Sequence, residues 1–106
     1  MLWMGDNIYF APFDLSNLYN MNQRYQRYRQ APELQPLLAK MPHFATWDDH
    51  DFGLNDGGVE FAHKQASKNA FVEFWQLPAD DPRRARPGLY HAHVFGPMGR
   101  RVQVIL

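Results

Sequence analysis

Two segments of this 106-residue chain combine residue types that could do chemistry. In Gly5-Asp6-Asn7-Ile8-Tyr9, glycine permits a tight exit from a strand and leaves room beside the backbone. The Asp6 carboxylate is then free to bind a hard cation, and the phenol of Tyr9 suits a strongly Lewis-acidic one. The plainer reading is a strand-to-loop turn with a capping Asp and a packed Tyr. The second segment, Trp47 to Gly58, places Asp48, Asp49, Asp51 and Asp56 around His50 and Asn55. Carboxylates so close repel one another unless they are solvated, hydrogen-bonded or neutralised by metal. An acidic solvent loop is the ordinary explanation, but this one follows an apolar segment with Trp47 directly against it. Asp48 or Asp51 could orient His50 for proton transfer.

Other pairings carry less. His91 and His93 share one face of an expected strand, where a zinc pair is conceivable. With no third ligand adjacent, they read as polar residues on a wet face. Arg24-Tyr25-Gln26-Arg27-Tyr28-Arg29 interleaves basic and aromatic side chains as single-strand nucleic-acid binders do. An amphipathic helix that buries tyrosines and wets arginines explains the same spacing. His63 reads as a surface residue and Trp75 as a core residue.

The elements that must position these residues follow from pattern. Met1–Met4 predicts a buried strand delivering Asp6 at its C-terminal end. Residues 6–17 predict a loop, with Asp14 or Ser16 capping a helix from Leu18 to about Arg29. A second helix ends near Lys40 and either starts near Gln35, with Pro36 in its first turn, or is kinked. His43–Trp47 predicts another strand ending in carboxylates, and 52–58 a turn-rich loop. Ala62, Ala66, Ala70 and Phe74 fall in one four-residue row, which predicts a long helix over Val59–Gln76. Residues 77–88 read as an exposed connection, and Leu89–Phe95 and Arg101–Leu106 as strands joined across Gly96-Pro97-Met98-Gly99.

Composition bounds the classes. One domain at most fits this length. A 45% hydrophobic and 15% aromatic chain has enough apolar surface to build a core. Eleven basic against eleven acidic residues leave no net charge, so a dedicated nucleic-acid or anionic-membrane role is disfavoured. The absence of cysteine excludes disulfides, thiolate nucleophiles and Cys-ligated zinc within these residues. No apolar run approaches the ~20 residues of a membrane span, and no targeting segment is visible. Apolar strands at both ends of the chain predict a piece of a larger protein.

Taken together, Gly5-Asp6-Asn7-Ile8-Tyr9, a helix carrying Arg24-Tyr25, Leu34–Leu38, and Trp47-Asp48-Asp49-His50-Asp51 with Asn55-Asp56 resemble alkaline phosphatase D, the PhoD-like branch of the metallophosphoesterases. The similarity runs through Lys68, Phe71 and Phe74-Trp75 into the closing strands. The resemblance implies α/β architecture, with residues 1–106 forming part of a four-layer α/β/β/α sandwich whose upstream and downstream segments lie outside this chain. It implies two metal ions, iron with calcium, bridged by Asp6. By analogy with purple acid phosphatases, Tyr9 would ligate a ferric ion. Asp49 would be a further ligand, and His50 would contact phosphate and protonate the leaving oxygen. Asn7, Asp48 and Asp51 would support them.

The remaining ligands of the family, an upstream acid and downstream histidines, are not in this chain, and His91-Ala92-His93 does not match the downstream Gly-His-x-His. The implied activity is hydrolysis of phosphate mono- or diesters, in a periplasmic or secreted protein, with the isolated fragment inactive. The alternative is a non-enzymatic module whose acidic loop binds one calcium ion or a partner, although the spacing is not that of an EF-hand.

Overall fold

The computed structural model describes residues 1–106. The two apolar segments that precede the acidic motifs pair with each other. Strand β1 (Leu2–Met4) lies parallel to β2 (Phe44–Thr46), with Leu2 opposite Phe44, Trp3 opposite Ala45 and Met4 opposite Thr46. Parallel strands need a long crossover. Here helices α1 (Leu18–Arg29) and α2 (Gln35–Lys40) provide it. Because both strands run the same way, Gly5-Asp6 and Trp47-Asp48 leave the pair at the same end.

Helix α1 occupies the expected residues, but its cap differs from expectation. Asn17, in extended conformation, accepts the Asn20 N–H at 3.0 Å. Asp14 and Ser16 are consumed in a 3-10 turn. Asp14 is buried and accepts the Ala11 N–H at 2.8 Å, while the Ser16 hydroxyl donates to the Phe13 carbonyl. Asn17 is therefore the last non-helical residue with a free acceptor. Helix α2 starts at Gln35 with Pro36 in its first turn, where the missing N–H costs nothing.

Helix α4 (Lys64–Phe74) is shorter than its periodicity predicts. Phe61 is drawn into the core from a turn, with its N–H on the Gly58 carbonyl and its ring against Phe52, so residues 59–63, Ala62 among them, stay outside the helix. The core lies where α1 meets α4. Met21, Tyr25, Ala70, Phe71 and Phe74 are almost fully buried, and the Tyr25 and Phe74 rings lie 4.9 Å apart. Burying side chains of this size stabilises by roughly 1.5–3 kcal/mol each. Trp75 is only half-buried, at the end of α4, and His63 is exposed at its start.

Three further expectations change. Strand β1 is not buried: Leu2 and Met4 are exposed, and only Trp3 turns inward, against Trp75 and with its indole N–H on His43 Nδ1 at 2.9 Å. The acidic motif does not simply leave a strand; it folds into a one-turn helix, α3 (Asp49–Phe52). The 77–88 connection contains α5 (Pro82–Ala85), capped by Asp81, with Arg83 buried beneath it. Strands β3 (Ala92–Phe95) and β4 (Val102–Ile105) form the expected antiparallel hairpin, with Ala92 opposite Ile105. His91 and His93 are half-buried rather than wet, because their side chains turn toward Phe44 and the α5 region. The whole is a small mixed helix/strand domain with one parallel and one antiparallel two-stranded sheet. No helix is long and apolar enough to cross a membrane.

Candidate metal centre

The two motifs meet because a glycine lets the strand ends close. A Cβ on Gly5 would sit 2.6 Å from the Asp48 Cβ, and the Gly5 φ of 108° is one that side-chain-bearing residues rarely adopt. Asp6 follows with φ 51°, a left-handed conformation that short acidic side chains tolerate better than most. Across from it, Asp49 and His50 start α3. Ligand atoms of Asp6, Asp49 and His50 all lie within 4.8 Å of one another.

Helix α3 owes its existence to the same acids. Asp48 accepts the Asp49 N–H at 3.0 Å and also the backbone N–H of Asp51, and the Asp51 side chain returns to accept the Asp48 N–H at 3.1 Å. The reciprocal Asp48–Asp51 pairing is a capping box. Asp51 is completely buried and also accepts the Asn7 N–H at 3.0 Å, which ties the first motif to the second. Burial pushes its carboxyl up, against the backbone N–H groups of Asp48 and Asn7. The N–H of Asp56, 2.6 Å from Asp49 Oδ2, is the main cause that holds the Asp49 carboxyl below its ordinary value; the His50 N–H assists at Oδ1. Asp49 is thus ionised at neutral pH.

Tyr9 donates its hydroxyl to Asp6 Oδ2 at 2.7 Å, and its ring lies 4.2 Å from the His50 ring. The hydrogen bond to Asp6 is the largest cause that raises the phenol above its ordinary value, followed by burial and the charges of Asp6, Asp49 and Asp51. A metal would have to displace that proton. Neither Asp48 nor Asp51 hydrogen-bonds the His50 imidazole, contrary to expectation, because both are used by backbone N–H groups. The ring's neighbour is Tyr9. Asn7 donates its amide to the Thr46 carbonyl at 2.8 Å, which leaves a buried Oδ1 without a partner.

No protein-family model, curated protein or solved structure matches this chain.

Two carboxylates and an imidazole, with a phenol on one carboxylate and an unpaired amide oxygen next in the chain, suit a hard or borderline cation. Of the acids in 48–56, only Asp49 joins the cluster. Asp48 caps, Asp51 is buried behind, and the side chain of Asp56 pairs with Asn55.

Arg24, which the sequence pattern assigns to the wet face of α1, donates to the Tyr9 carbonyl at 3.0 Å and lies 3.8 Å from Asp14, so it holds the loop that presents Tyr9. With Arg27, Tyr28, Asp6 and Tyr9, Arg24 lines an open cleft of about 540 Å³ beside the cluster.

Proposed function

We propose that this chain carries one half of a two-metal phosphoesterase centre that hydrolyses phosphate mono- or diesters, as its resemblance to the PhoD-like branch implies. The convergence of Asp6, Asp49 and His50, which come from motifs far apart in the chain, supports this reading. Asp6 is the carboxylate shared by the ions, Tyr9 and Asp49 are ligands, and iron with calcium is the implied pair. Bound there, two cations supply the Lewis acidity that activates water and offsets phosphoryl charge.

The chain's own residues have separate tasks. His50, whose ring lies 4.2 Å from that of Tyr9, gives a proton to the leaving oxygen. Arg24 and Arg27 line the adjoining cleft, where a phosphoryl group or its substituent would find guanidinium donors. In this reading the β1–β2 pair is the seam of the larger α/β/β/α sandwich.

Titration of metal-stripped protein with ferric ion tests the ligand set. Saturable uptake with a visible phenolate-to-iron absorption band is expected, and Tyr9→Phe should lose the band. Asp6→Ala should lose metal together with hydrolysis in the polypeptide as its reading frame encodes it. Retention of both by Asp6→Ala would refute the bridging role. A single bound calcium without hydrolysis would favour the acidic-loop module.

A further inference from the structure

The hairpin end of the molecule carries a second cluster that the phosphoesterase reading does not use. Asp81, Arg83, Arg86, His91 and His93 line a cavity of about 270 Å³. None of them belongs to the acidic centre. Arg83 is already spent: its Nε and Nη2 donate to the two oxygens of Asp81 at 2.9 and 2.7 Å. Arg86 has no carboxylate partner and lies over the Tyr90 ring, 3.9 Å from its centroid. Three nitrogens of this group are buried without any hydrogen-bond partner, namely Arg86 Nε, His91 Nε2 and His93 Nε2.

Each orphan destabilises the fold unless something pairs with it. The charge balance indicates what that something is. Asp81 cancels Arg83, so the uncompensated charge in the cavity is the Arg86 cation, which opposes a metal and attracts an anion. His91 Nδ1 lies 2.9 Å from the Leu89 carbonyl, which fixes the proton on that nitrogen and leaves Nε2 as the free position. The two rings stand 5.1 Å apart, close enough to serve one small ligand.

We propose that Arg86, His91 and His93 form a binding site for a phosphate- or sulfate-sized oxyanion, with the His91 imidazole taking up a proton as the ion enters. The guanidinium supplies charge-assisted donors, and the protonated His91 Nε2–H adds one more. Proton uptake follows from the surroundings. The charged and titratable groups around the two imidazoles are Asp81, Arg83 and Arg86 from the α5 region, and Lys68 on α4, whose ammonium is held by the Arg84 and Arg86 carbonyls. Burial is the largest cause that keeps His91 below its ordinary value, and Arg83 and His93 add to it, while the hydrogen bond to the Leu89 carbonyl and, less, Asp81 oppose. An incoming anion reverses that balance.

The test is calorimetric titration of inorganic phosphate into chelator-treated protein near the ordinary imidazole value, about pH 6.5, in two buffers of different ionisation enthalpy. Chelation removes metal from the acidic centre, and the Arg86→Gln variant distinguishes this site from the Arg24–Arg27 cleft, so this result stands apart from the phosphoesterase reading. The expected result is saturable one-to-one binding with net proton uptake, weakened about tenfold or more by Arg86→Gln, the loss of one charge-assisted bond.

Ring-nitrogen NMR of the unmodified protein gives a second readout that does not depend on a variant folding: phosphate should shift His91 and His93 and leave His50 unmoved. Phenyl phosphate run in parallel separates a free ion from the end of a larger ester, since only a free-ion site rejects the ester. Absence of saturable binding, binding without proton uptake, unmoved His91 and His93 resonances, or a folded Arg86→Gln that binds phosphate like the parent would each overturn the proposal. So would zinc binding at the two histidines in preference to phosphate.

Discussion

The strand-end loops and the hairpin end solve opposite electrostatic problems in different ways. At the loops, four aspartates crowd around one histidine, and backbone N–H groups absorb the charge. Asp51 takes those of Asn7 and Asp48, Asp49 those of His50 and Asp56, and Asp48 that of Asp49. At the hairpin, two arginines and two histidines meet a single carboxylate, and three nitrogens remain unpaired. Backbone donors are always at hand for an acid in a turn or at a helix start. A basic cluster must find carboxylates or free carbonyls, and strand carbonyls are already committed to the ladder. Acidic sites can therefore be built locally, whereas basic ones look outward for a partner.

Removing Asp51 should break the first half of this contrast most severely. Asp51→Ala leaves the buried Asn7 N–H and the part-buried Asp48 N–H without an acceptor, and a loss of about 3 kcal/mol is expected in denaturant unfolding. Metal uptake should fall with it. A change below about 0.5 kcal/mol would mean that α3 is held by something other than this carboxylate.

The close approach of the strand ends comes next. Gly5→Ala should cost about 2 kcal/mol, since the new methyl meets the Asp48 Cβ and the backbone keeps its positive φ. Ferric affinity should drop more steeply than stability, because Asp6 would be displaced from Asp49 and His50. Equal affinity in the variant would show that the glycine does not set the metal geometry.

The smallest effect belongs to the hairpin end. Arg83 hydrogen-bonded to Asp81 lowers its carboxyl from the ordinary 3.8 to about 2. A depressed folded value means that the pair stabilises above the unfolded value and that this contribution disappears as pH falls through the folded one. Thermal melts of the parent and Asp81→Asn should differ at pH 5 and converge between 3.8 and about 2. Curves that stay apart by a constant amount across that window would assign the difference to the Asp81 cap on α5 instead of the ion pair.

Much of the scaffold was legible in the residues. Apolar spacing placed α1 at 18–29, and proline chemistry placed the start of α2. Short apolar runs bounded by turn residues marked all four strands. Local chemistry that competes with periodicity was harder to read. The 3-10 turn took Asp14 and Ser16 from the cap, and Phe61 shortened α4 by joining the core from a turn. The pattern Asp48-x-x-Asp51 is a helix-start signature, but the one-turn α3 is too short to show apolar periodicity, and the density of carboxylates masks its caps.

Residue type alone determined that Asp6, Asp49 and His50 could hold a cation, since carboxylate and imidazole chemistry travels with the side chain. Only tertiary structure decided that they meet and that Asp51, of the same type, does not join them. Parallel pairing brings both strand ends to one edge, and burial turns one aspartate from a ligand into a brace. Likewise, two histidines that alternation assigns to solvent become half of a cavity wall once α5 folds over them. Side-chain chemistry is fixed by the covalent formula, but solvation and neighbours are properties of the packed chain.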